Sequence, residues 1–115
     1  MRLTANIKIE DKELKRLMIY DSEDGVYLFG YNTEIDSDSL WDYWFENIED
    51  AINDCIEDYN ISKEDWTEIP DPLEYCQHDW INPVRIIGRN LGKPEYGKLE
   101  KLIDGKWIKL EKNIE

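Results

Sequence analysis

One histidine, one of two cysteines and an aspartate crowd into six residues, YCQHDW (75–80). Side chains of these types bind metals, attack carbonyls or move protons. Zinc takes four protein ligands in structural sites and three plus water in catalytic ones. Cys76 and His78 supply two, at a spacing that matches no zinc pattern, and carboxylates would have to complete the set. A Cys–His nucleophile pair needs its imidazole beside the sulfur and an oxyanion hole, which means that the loop must turn there. A small enzyme using Cys76 and His78 therefore stands as one alternative. The reading preferred here is a proline-bounded loop in which Tyr75 and Trp80 cover the core and His78 bonds to backbone or carboxylate. No metal or cofactor is expected.

Other chemistries leave fainter traces. GRNLGKPEYGK (88–98) has glycines and lysines but lacks the strand–GxxxxGK[ST]–helix order of a phosphate loop. No Ser/His/Asp set can be assembled around the one histidine. A glycosidase pair cannot be picked out of 27 acidic residues without geometry.

The elements that must position these residues follow from pattern. In RLTANIKIE (2–10), Leu3, Ala5, Ile7 and Ile9 alternate, as in a half-buried strand. KRLMIY (15–20) and VYLFGY (26–31) flank DSEDG, whose Asp24-Gly25 pair favours a hairpin. Ile48, Ala51, Ile52, Cys55, Ile56 and Tyr59 form a helical stripe that places Ile52, Cys55 and Ile56 at the centre of the buried face. Asn47 is its N-cap, Asp50 completes a partial capping box, and Asn60 is placed to end it in the left-handed conformation with Ile61 folding back. SKEDW (62–66) reads as one more turn and WTEI as a short strand or extended segment. Three of the four prolines fall in 70–83, which excludes a long regular element there. VRIIG (84–88) resumes as a strand. A second hairpin turns at Asp104-Gly105, between 98–103 and 106–111. The fold class is α+β: a mostly antiparallel sheet of about six strands with one main helix (47–59) packed on one face, in a single domain over 1–115.

Composition bounds the function. An apolar fraction of 41% argues for a folded core despite 36% charged residues. The opening residues hold no long apolar run, so no signal peptide is expected, and no stretch is long enough to span a bilayer. The expectation is a cytoplasmic protein with Cys55 and Cys76 as free thiols. Net charge is −13. Between Asp21 and Asp79 there are nineteen acidic residues and one basic residue, Lys63. Such a surface repels nucleic acid and anionic lipid and suits a basic protein partner.

The helix concentrates that charge. Glu49, Asp50, Asn53, Asp54, Glu57 and Asp58 lie away from the apolar stripe, and no lysine or arginine occurs from 33 to 62. Asp50, Asp54 and Asp58 stand at i, i+4, where each like-charge pair costs about 0.2–0.5 kcal/mol. This is either a solvated acidic face or a docking surface. Aromatics beside it favour docking, since aromatic residues rimmed by charge suit an interface centre. The candidate partner-binding residues are Asp50, Asp54, Glu57, Asp58, Trp41 and Trp44.

WDYWFENIEDAINDCIEDYNISKEDWTEI (41–69) carries Trp44, Asn47, Ile48, Glu49, Asp50, Ala51, Tyr59, Asn60, Ile61 and Trp66. At these positions the chain resembles short acidic bacterial proteins of immunity-protein type, which bind and silence a secreted toxin. The resemblance covers about a quarter of the chain and implies a basic protein, such as a toxin, as partner. It carries no role to residues 75–80. The rival class is a nucleic-acid mimic that occupies DNA-binding proteins generally. A specific cognate partner, as opposed to several unrelated DNA binders, separates the two.

Overall fold

Leu3, Ala5 and Ile7 alternate with Arg2, Thr4 and Asn6, and this pattern makes β1 (Arg2–Asn6). The structure, a computed structural model, describes residues 1–8 and 13–110; Ile9, the end of the expected alternation, lies outside them. The chain divides into two compact units, Met1–Asp71 and Pro72–Glu115, where the sequence reading counts one domain.

In the first unit β1 pairs with β2 (Arg16–Ser22), β2 with β3 (Gly25–Tyr31), and β3 with β4 (Trp41–Phe45). A short β5 (Thr67–Ile69) pairs with the other side of β1. All pairings are antiparallel, in the order β4-β3-β2-β1-β5. Cross-strand partners share a face. Leu3↔Ile19, Ala5↔Leu17 and Ile19↔Leu28 therefore put one apolar set on a single side. The helix α1 (Ile48–Tyr59) covers that side, and Ala51 and Cys55 are fully buried against Leu17, Ile19, Val26 and Leu28. Each such aliphatic side chain contributes about 1.5–3 kcal/mol by leaving water.

The helix ends are as the sequence predicts. The Asn47 side chain accepts from the Asp50 N–H at 2.9 Å. Asn60 takes φ 56, and its N–H donates to the Ile56 carbonyl while that of Ile61 donates to Cys55. This two-bond lock returns Ile61 to the core. A following turn at Lys63–Asp65 is closed by the Ser62 N–H donating to Asp65 Oδ2 at 2.9 Å.

In the second unit β6 (Val84–Ile86), β7 (Leu99–Ile103) and β8 (Lys106–Lys109) form a separate antiparallel sheet. Asp104 at φ 50 and Gly105 at φ 78 make the expected two-residue hairpin turn. Arg85 Nε donates to Glu100 Oε2 at 2.6 Å, and its guanidinium lies 3.7 Å from the centroid of the Trp107 ring.

The class is α+β, but the described residues hold eight strands in two sheets, where the sequence predicts about six in one. The strand that the sequence reading lacks is β4, and β5 falls where WTEI is read as a short strand or extended segment; both lie at sheet edges. WDYWF has aromatics on both faces, so it lacks the apolar–polar alternation by which a half-buried strand is read. The proline-rich stretch separates the sheets. Ile56, expected at the centre of the buried stripe, is 38% exposed, and Ile52 is only half-buried. Ile56 follows Cys55 by one residue, about 100° around the helix, so it falls at the margin once Cys55 points inward.

Candidate partner-binding face

β4 lies at a sheet edge, held by β3 on one side. Its register sets Tyr43 opposite Leu28 and Trp41 opposite Gly30, on the face that α1 covers. Trp44 stands opposite Tyr27, on the reverse face. The two tryptophans singled out from sequence are therefore on opposite sides of one strand.

Each is seated by a glycine of β3. A Cβ on Gly30 would lie 2.3 Å from Trp41 Cζ2, so the ring occupies the space that a side chain would fill. Gly25, at φ 125, does the same for Trp44, whose Nε1 would be 2.1 Å from an added Cβ. The Trp44 Nε1–H donates to the Asp24 carbonyl at 3.1 Å. Trp41 packs at the border of the core and tilts against Tyr43, with ring centroids 4.9 Å apart. Tyr43 and Trp44 remain 59% and 53% exposed.

On α1, Asp50, Glu57 and Asp58 are exposed and Asp54 is half-buried. Burial first, then the charges of Asp58 and Glu57 and a side-chain hydrogen bond with Asp58, hold the Asp54 carboxyl above its ordinary value. Tyr59 is raised as well, by burial and then by its surroundings, which include Asp58, Tyr43 and Asp54. Tyr59 thus lies within electrostatic reach of Asp58, Tyr43 and Asp54. Among the described residues, no lysine or arginine forms an ion pair with any carboxylate of α1. Such groups accept hydrogen bonds and cations: carboxylates for a guanidinium or ammonium, ring faces for cation–π contact.

The two cysteines are placed for packing. Cys55 is fully buried, and burial followed by the charges of Asp54 and Asp58 pushes its thiol up to about 12. Cys76 is 4% exposed, and its backbone forms a bridge with Arg85. The neighbouring Gln77 N–H donates to the Val84 carbonyl at 2.7 Å, and its side-chain oxygen accepts from Arg89 at 2.8 Å. The loop is thereby stitched to β6. His78 is exposed. Tyr75, expected to cover the core, is instead exposed and adopts φ 67, because the chain turns sharply where the Cys76 N–H reaches the Leu73 carbonyl. The glycine–lysine segment is also a structural turn. The amides of Leu91, Gly92 and Lys93 donate to the carbonyls of Gly88 and Arg89, which leaves none of the three to cradle a phosphate. Among the described residues, no group of three or more His, Cys, Asp or Glu side chains is placed to hold a metal ion.

Sequence reasoning missed the cationic side of the first unit. Arg2 and Arg16 are each 2% exposed, on the sheet face opposite α1. Arg2 Nε donates to the Pro70 carbonyl at 2.8 Å, and the Arg16 guanidinium stacks 3.7 Å from the Tyr31 ring centroid. In an alternating strand these positions read as solvent-facing. The available signal was the aromatic content of the same face, with Tyr20, Tyr27, Phe29 and Tyr31 in register beside them. Comparison with family models, curated proteins and solved structures gives no significant match.

Proposed function

We propose that this chain is a non-enzymatic binding protein that takes a basic protein onto the acidic side of α1 and the β4 aromatics next to it. Asp54 and Asp58 carry the reading. They stand one turn apart on α1, and burial first, then the charges of Asp58 and Glu57, hold the Asp54 carboxyl above its ordinary value. A lysine or arginine from outside would offset that like-charge repulsion. Tyr43 and Trp41 add apolar contact area beside the charge, and rigid aromatics of this kind bind at low cost in side-chain entropy. A toxin with a cationic surface for nucleic acid would have the right chemistry, and its association would be steered by the overall charge of −13. Trp44 faces the other way and is not part of this patch.

The test is capture on immobilised chain, from the source cell and with the products of neighbouring genes. Wild type is compared with Asp54→Lys/Asp58→Lys, after circular dichroism shows that both are folded. A basic protein retained by the wild type and lost by the reversal is expected. Equal retention by both would overturn the assignment of this face.

A further inference from the structure

Resting on that reading, we infer that the partner presents an extended, basic segment that pairs with the free edge of β4. Trp41 and Trp44 point to opposite faces of β4, so no body resting on one face of the sheet reaches both. A strand laid along the edge does. Its alternate side chains would fall beside Trp41 and Tyr43 on the α1 side, and beside Asp42 and Trp44 on the reverse.

Three observations support an edge site. β4 is an outer strand, and among the described residues it pairs only with β3. An outer strand presents unpaired N–H and C=O groups along its free side. Asp42, Tyr43 and Trp44, the middle of the strand, are all exposed. The opposite edge is built differently: β5 is only three residues long and runs directly into Pro70, which has no N–H to donate.

Charge selects the occupant. Asp42 lies on the reverse face of β4 with Trp44, and α1, which carries Asp54 and Asp58, covers the other face of the sheet. A lysine or arginine on the reverse side of an incoming strand would meet Asp42 and the Trp44 ring together, and one on the other side would meet the Trp41 and Tyr43 rings on the face that carries the acidic helix. A second copy of this chain suits the edge poorly. Antiparallel β4–β4 pairing would bring a second acidic helix to the same side of the sheet, adding repulsion between two chains of −13 each.

The probe is a synthetic peptide alternating lysine with valine. It is compared with a copy N-methylated at alternate backbone amides, which keeps the charge and removes the strand's hydrogen bonds. Binding is followed by amide exchange and chemical shifts of the full-length protein at low salt. The expected result is slowed exchange in β4, centred on Asp42 to Trp44, and binding weakened about tenfold or more by N-methylation. Binding that survives N-methylation but is lost in Asp54→Lys/Asp58→Lys would overturn the edge and leave the acidic face standing. Binding insensitive to both changes, or absent, would overturn both. Concentration-dependent self-association with the same β4 protection and no peptide would assign the edge to a second copy, and would overturn the basic strand.

Discussion

Gly30→Ala is a small change with a specific structural consequence. The added Cβ would lie 2.3 Å from Trp41 Cζ2 and 2.4 Å from Cε2, far inside contact distance. The Gly30 backbone is not in the left-handed region, so alanine itself is not strained there. The cost comes from the ring, which must leave its seat against the core or force the strands apart. Overpacking of this kind costs about 1–3 kcal/mol. Removing the ring should abolish the penalty. In a Trp41→Ala background, Gly30→Ala should be neutral or stabilising by up to about 0.5–1 kcal/mol, because alanine loses less backbone entropy than glycine on folding. Urea unfolding of the four proteins of the double-mutant cycle measures the coupling. A Gly30→Ala cost that is the same in both backgrounds, within about 0.5 kcal/mol, would refute the seat and with it the placement of Trp41. Gly25→Ala is the contrasting case. Its φ of 125 keeps alanine strained even after Trp44→Ala, so the penalty there should persist.

Asp54→Asn should stabilise the protein at neutral pH by about 0.2–0.5 kcal/mol, the scale of a like-charge pair on a helix. Asp54 is raised in the folded state, so the fold gains from its protonated form below the unfolded value and loses that gain as pH rises through the folded one. The advantage of asparagine should therefore shrink as pH falls through the carboxylate range, as measured by denaturant melts across pH; a constant difference would contradict this linkage. Ile61→Ala should cost about 2–4 kcal/mol and Ile56→Ala under about 1 kcal/mol, because only the first is buried; equal costs in urea would return Ile56 to the core. Both thiols should resist a thiol reagent in the native state and react in denaturant, Cys55 because burial and two nearby carboxylates oppose its thiolate and Cys76 because it is covered. Fast native modification of either would show that its cover opens readily.

Local rules carried well where one interaction dominates. The cap at Asn47, the left-handed Asn60 and the Asp104-Gly105 turn each depend on a few adjacent residues, and each is where the sequence places it. Properties that depend on pairing were less legible. β4 became a strand because β3 offered it an edge and two glycines to seat its tryptophans. That register also put Trp41 and Trp44 on opposite faces, which spacing alone did not reveal for a segment without apolar–polar alternation. Ile56 has the right spacing for the stripe but lies on its margin, and only the packed position of Cys55 shows which part of the stripe faces the sheet. Arg2 and Arg16 were hidden for the opposite reason, since alternation marks a face as polar without saying whether anything covers it. Within the candidate site, the acidic run was visible in composition. The reach of Tyr59 to both Tyr43 of β4 and the carboxylates of α1 needed the fold.

If the acidic side of α1 receives a basic protein, as proposed, the rate of association with a captured partner must depend on the carboxylates of that helix. Stopped-flow rates should be measured for wild type and for Asp54→Lys/Asp58→Lys over a salt series. Steering by exposed charge is felt over a Debye length of about 8–10 Å near physiological ionic strength and further at low salt. The reversal should slow association about tenfold or more at low salt, the two rates should converge as salt rises, and the fold should be unchanged. Equal rates at low salt would contradict this and leave the carboxylates of α1 as a solvated surface.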